Sequence, residues 1–131
     1  MKDIILSNGV DYFMIHYDHK FSPTDEAWNT LYVSFHVENL SYKFKAEVQT
    51  SDFISFIENY KSSFLNEKEK ITFYTLEETF IINIKKEDSL GHFEAEIQIR
   101  LSSILIKAKF QVTYNEVESF YKDILNSINF E

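Results

Sequence analysis

The densest cluster of chemically capable side chains is His16-Tyr17-Asp18-His19, two imidazoles and a carboxylate within four residues. Zinc or another divalent ion takes such donors. On a strand, however, His16 and His19 project to opposite faces, and no further His or Cys lies nearby in sequence. They read as surface histidines at a strand end, and no metal is expected. Carboxylates come in close pairs: Asp25/Glu26, Glu77/Glu78, Glu87/Asp88 and Glu94/Glu96. Two carboxyls held at a set separation across a cleft would serve glycoside hydrolysis. Adjacent acids in polar turns are solvated instead, and Glu94/Glu96 has Lys107 and Lys109 beside it on a sheet face. The chain carries no Gly-x-Ser-x-Gly elbow, no Walker motif, no dinucleotide fingerprint and no EF-hand loop. It has no Cys, which excludes disulfides, thiolate metal sites and a Cys nucleophile. The expectation is a protein without catalysis, cofactor or metal.

Composition bounds the remaining possibilities. The 131 residues suit one domain, 1–131, with a single sizeable core. Aromatics reach 17%, so that core is rich in Phe and Tyr, while two Gly and one Pro exclude Gly-rich phosphate loops and long flexible linkers. The formal net charge of −8 argues against nucleic acid as a partner and suits a basic protein. The N-terminal apolar stretch is too short for a signal peptide, and no apolar run reaches membrane-spanning length, so cytoplasmic residence without a membrane partner is expected.

The elements that must position these residues follow from periodicity. Residues 3–6 and 10–17 read as strands around Asn8-Gly9, which supplies the positive φ a tight hairpin needs. Asp18 to Asn29 holds Pro23 and clustered polar residues and reads as a long exposed loop. Leu31, Val33, Phe35 and Val37 then alternate with polar residues, as do Leu40, Tyr42, Phe44, Ala46 and Val48. Pairing Val37 with Leu40 puts Phe35 on Tyr42 and Val33 on Phe44, a register that a one-residue slip would destroy. A helix from about Ser51 carries the apolar stripe Phe53, Phe56, Ile57, Tyr60 and Phe64. The segment Asn66 to Lys70 reads as a solvated turn, and Ile71–Tyr74 with Phe80–Lys86 as the next hairpin. Phe93 to Leu101 and Ile104 to Val112 repeat the alternation, setting Glu96 opposite Lys109. A final helix, with capping-box spacing at Asn115 and Glu118, carries Val117, Phe120, Tyr121, Ile124, Leu125 and Ile128.

The second half thus repeats the first. Lys43/Lys107, Lys45/Lys109, Val48/Val112, Ser55/Ser119, Phe56/Phe120 and Ser63/Ser127 are identical pairs, each 64 residues apart. The fold class is α+β in two layers: a bent antiparallel sheet with two helices on one face, built as an internal β-β-β-β-α repeat with halves of about 1–66 and 67–131. The opposite face is expected to be polar and exposed, with Tyr32, Ser34, His36, Lys43, Lys45, Glu94, Glu96, Arg100, Lys107 and Lys109 on it. Trp28, the only Trp, sits where the Pro-containing loop enters a strand. It suits either core packing at a sheet edge or an interface anchor.

From Asp25 onward the chain resembles the WapI-type family of bacterial immunity proteins. The likeness rests on Asp25-Glu26-Ala27-Trp28 before an alternating strand, on Phe73-Tyr74-Thr75-Leu76-Glu77 before a second run of strands, and on a terminal helix at Val117–Ile128. Asn29 stands where that family often has Leu, and its middle motif often carries a Pro that this chain lacks. The resemblance implies a protein made beside a polymorphic WapA-like secreted toxin, which binds the toxin's C-terminal domain, often a nuclease, in the producing cell. The expected function is stoichiometric inhibition of that cognate toxin. The residues expected at the interface are Asp25, Glu26, Trp28, Glu77, Glu78, Glu87 and Asp88. The alternative is a non-catalytic module that binds a small molecule or peptide on the open sheet face, favoured by a pocket lined by Tyr32, His36 and Tyr42. Oligomeric state is left open by the sequence.

Overall fold

Strand alternation and the two amphipathic stripes build the molecule described by a computed structural model. It describes residues 2–24, 26–64, 70–75, 79–88 and 90–130, the side chains at 63, 64, 74 and 101 excepted. The strands are β1 (Lys2–Ser7), β2 (Tyr12–Tyr17), β3 (Trp28–Val37), β4 (Leu40–Gln49), β5 (Lys70–Tyr74), β6 (Phe80–Lys86), β7 (His92–Leu101) and β8 (Ile104–Thr113). The helices are α1 (Thr50–Asn59), which runs on into a π-helical turn at Tyr60–Phe64, and α2 (Tyr114–Ser127). The fold is α+β. Its strands form two four-stranded antiparallel meanders, β1-β2-β3-β4 and β5-β6-β7-β8, and neither sheet closes.

The registers are those that the alternation demands. Val37 pairs Leu40, Phe35 pairs Tyr42 and Val33 pairs Phe44 in the first sheet. Leu101 pairs Ile104 and Glu96 pairs Lys109 in the second. The two β-turns are built alike, with Glu38 (φ 57°) and its repeat counterpart Ser102 (φ 55°) both in the left-handed region. The first hairpin turns at Asn8, whose Oδ1 accepts from the N–H groups of Val10 and Asp11, with Gly9 at φ 92°.

Helix starts differ from the sequence reading in a systematic way. α1 is capped by Gln49, whose N–H donates to Asp52 Oδ2, and Ser51 lies inside the helix. α2 is capped by Thr113, which exchanges hydrogen bonds with Glu116. The Asn115/Glu118 spacing is not the cap, and Glu118 instead pairs with Lys122 one turn on. The reason is the same twice. β4 and β8 run straight into their helices, so the last strand residue does the capping. Gln49/Thr113 and Asp52/Glu116 are again 64 apart.

Each helix covers the other half. α1, which follows β4, packs on β5; α2, which follows β8, packs on β1. Counterpart residues make the edge contacts: Asp123 on α2 accepts from Ile5 N–H at 3.1 Å, and Asn59 on α1 donates to Thr72 O at 3.5 Å. Counterparts also meet in the core. Phe56 touches Phe120, with ring centroids 5.4 Å apart. Phe13 pairs with Phe35, and Phe80 pairs with its counterpart Ile99, so Phe13 and Phe80 are equivalent; their rings also lie 5.4 Å apart. Equivalent residues meeting each other is the relation a two-fold axis imposes. The buried apolar side chains of both sheets and both helices form one contiguous cluster.

The Asp18–Asn29 segment is not a free loop. Phe21 is buried, stacks on Phe53 at 4.8 Å and lies 5.1 Å from Tyr17. Its N–H donates to Ser127 O and its C=O accepts from Asn129 N–H, so the segment is pinned to the end of α2. An apolar ring in a polar stretch is the cause: burying Phe21 stabilises by roughly 2–3 kcal/mol, enough to order its neighbours.

Candidate functional site

Two surfaces collect the residues with chemical potential. The first is the start of β3. Trp28 is the first residue of that strand, pairs with Gln49, and keeps 48% of its surface exposed. Its ring is therefore not packed into the core. Its backbone is held by the sheet and by Asn29, whose Nδ2 donates to Val48 O and Thr50 Oγ1. Glu26 is exposed two residues away. A concavity of about 280 Å³ opens between Trp28, Tyr32, Asp18 and His19.

The other expected interface residues divide. Asp25, Glu77 and Glu78 lie outside the described residues. Glu87 and Asp88 are exposed in the β6–β7 connection, the counterpart of the Phe21 segment. Asp88 is occupied locally. It accepts from the His92 ring at 2.7 Å and from the N–H groups of Leu90 and His92. Chiefly through the His92 bond, its carboxyl is held below the usual carboxylate range. Asp88 thus shapes a turn, and Glu87 is the freer charge of the pair.

The second surface is the outer face of the first sheet. Three cross-strand rows run over it: Ser7–Tyr12–His36–Ser41, Ile5–Met14–Ser34–Lys43 and Asp3–His16–Tyr32–Lys45. Tyr12 stacks on His36, and the His36 ring is hydrogen-bonded to Ser41 at 2.6 Å. His16 is hydrogen-bonded to Asp3. Ser34, expected to be exposed, is 4% exposed, and its Oγ is buried without a hydrogen-bond partner. Its short side chain sits mid-sheet between the longer Met14 and Lys43 of the same cross-strand row. His16, Tyr32, Ser34, Lys43 and Lys45 line a concavity of about 360 Å³. Tyr42 is on the other side of the sheet, stacked on Phe35, so it shares no pocket with Tyr32 and His36. Nothing in the alternation pattern marks Ser34 as buried.

The proximity of Asp3, His16 and Ser34 invites comparison with a nucleophilic triad. Ser34 Oγ makes no bond to His16. The Ser34 backbone belongs to a strand paired on both sides, so its amides are committed to ladders and supply no oxyanion hole. Among the described residues no group of three or more His, Asp or Glu is placed to hold a metal ion. His16 is engaged with Asp3, and His19 lies beyond the end of β2.

The second sheet has a different outer face. Lys109 reaches Glu96 at 3.5 Å and Glu94 at 3.8 Å, and Gln98 donates to Glu96. The Gln98 bond first, then Lys109, holds the Glu96 carboxyl below the usual range. This is a neutralised surface ladder, as the sequence suggested. No described helix is long and apolar enough to cross a membrane. Compared with family models, with curated proteins and with solved structures, the chain finds no match.

Proposed function

We propose that this chain is an immunity protein that binds the C-terminal domain of a cognate secreted toxin, a nuclease by preference, and blocks it one-to-one without catalysis of its own. The observation that carries the reading is Trp28, a half-exposed indole on a strand fixed by its ladder and by Asn29. An aromatic anchor that is ordered before binding loses little entropy on contact, and Trp is the residue most enriched among binding hot spots. Glu26 and Glu87 stand exposed on equivalent connections of the two halves, and the net charge of −8 favours encounter with a basic nuclease. The resemblance carried by Asp25-Glu26-Ala27-Trp28 points the same way. The protein would act in the cytoplasm of the producing cell.

Co-expression with the toxin domain encoded beside it tests the reading. Growth is rescued and the two chains co-purify. Trp28→Ala weakens the complex by about 2 kcal/mol, roughly thirty-fold, while stability moves by less than about 0.5 kcal/mol because the ring is already half in water. Unrescued growth and no co-purification would sink the proposal.

A further inference from the structure

The duplication supplies an internal control for one surface. Lys43 and Lys45 on β4 correspond to Lys107 and Lys109 on β8. In the second half Lys109 is neutralised by Glu94 and Glu96. At the corresponding positions of the first half stand Thr30 and Tyr32, and Gln98 is replaced by Ser34. The lysines are the same and both carboxylates are gone. Among the described residues neither Lys43 nor Lys45 has an ion-pair partner; Glu47, next along that face, pairs with neither. A chain of net charge −8 therefore leaves two adjacent ammonium groups unmatched on one sheet face. Directly across from Lys43 is Ser34, whose buried hydroxyl has no partner. A buried hydroxyl left unbonded costs stability, and such groups call for an explanation.

We propose that the concavity formed by Ser34, Lys43, Lys45, Tyr32 and His16 binds the phosphate group of a small phosphorylated molecule. The two ammonium groups supply the charge, since lysine engages phosphate as a point cation. Ser34 Oγ donates to a phosphate oxygen once the flexible Lys43 stem swings aside. Tyr32, a residue 51% exposed, offers a flat apolar surface to the rest of the ligand. A long polyanion is disfavoured, because Asp3 and Glu47 flank the lysines on the same face and the whole chain is acidic. The site rests on the sheet geometry alone and stands whether or not the toxin reading holds.

The test is a titration of the ¹⁵N-labelled full chain with inorganic phosphate at pH 7, against sodium chloride at matched ionic strength. Saturable amide shifts at Ser34, Lys43 and Lys45 are expected with phosphate and not with chloride. The double variant Lys43→Gln/Lys45→Gln weakens phosphate binding at least ~ten-fold, and Ser34→Ala weakens it roughly three-fold or more. The matched control Lys107→Gln/Lys109→Gln leaves it unchanged. Phosphate behaving like chloride, equal shifts at Lys107 and Lys109, or binding that survives the Lys43/Lys45 change would overturn the site. Unaltered binding in Ser34→Ala would show that Ser34 is only a small residue accommodating Met14 and Lys43, and would overturn the role given to its hydroxyl.

Discussion

Phe73 lies where the two halves pack against each other. It lies on β5 in the second half and is 1% exposed. Its ring sits 5.4 Å from both Phe53 and Phe56 on α1, in the first half, and 5.6 Å from Phe80 on β6. Phe80 in turn touches Phe13 and Phe44 of the first sheet. Phe73→Ala removes a fully buried ring from the middle of this chain of contacts. The surrounding side chains are themselves rings held by strands and a helix, so the void collapses poorly. The cost is about 3–5 kcal/mol, a large share of the ~5–15 kcal/mol that holds a domain folded. For a chain of this size that corresponds to a fall in Tm of roughly 10–20 °C. Urea unfolding, followed by far-UV circular dichroism and by Trp28 fluorescence, measures it. Trp28 reports the first half although the substitution is in the second. Both probes should shift together to one lower midpoint, with the slope unchanged. A cost below about 1 kcal/mol, or a fluorescence transition that stays in place while the dichroism transition moves, would refute the shared core and the single-domain reading of 1–131.

Two further outcomes are expected. Burial pushes the Asp123 carboxyl above the usual carboxylate range, the Asp3 charge adds to this, and the Ile5 N–H bond partly opposes it. The folded state therefore binds that proton more tightly than the unfolded chain. Ionised Asp123 subtracts stability as pH rises from the ordinary Asp value through the raised one. Asp123→Asn keeps an acceptor for Ile5, so its Tm relative to wild type should climb between about pH 3 and pH 7; a pH-independent difference would count against this. Asn29→Ala deletes the donors to Val48 O and Thr50 Oγ1 and should cost about 1–2 kcal/mol by urea unfolding. An unchanged midpoint would show that the Asn29 bridge does not hold the start of β3.

Much of the architecture was legible because it is local. A strand with apolar residues at every second position has one register that buries them all, and Leu31 to Val48 states it twice, once on each strand. The hairpins at Ile71–Tyr74/Phe80–Lys86 and at Phe93–Val112 follow from the same arithmetic. The helix stripes follow from three- and four-residue spacing. Caps were less legible, since Ser51 and Asn115 are good capping residues that the strands overrun; the position of the strand end, not the residue type, decides which side chain caps. Phe21 was missed because a single apolar residue among polar ones carries no period.

The candidate sites were less legible still. Their residue types were visible, but their states depend on neighbours remote in sequence. Trp28 reads first as core packing at a sheet edge, and only the folded sheet leaves its ring exposed. Asp88 looks like a free acid until His92 folds back on it. Lys45 and Lys109 occupy equivalent positions of the repeat, yet of the two only Lys109 has an ion-pair partner among the described residues, because residue 96 is Glu and residue 32 is Tyr on the strand beside them. The sequence by itself determined the repeat, the alternation, the registers and the aromatic core, all of which arise from short-range periodicity and hydrophobic burial. Only the tertiary structure decided that the strands part into two sheets, that each helix covers the opposite half, and that Ser34 is buried beside two lysines with no ion-pair partner among the described residues. Those outcomes depend on which distant side chain fills the space across a strand or under a helix, and periodicity within one segment carries no record of it.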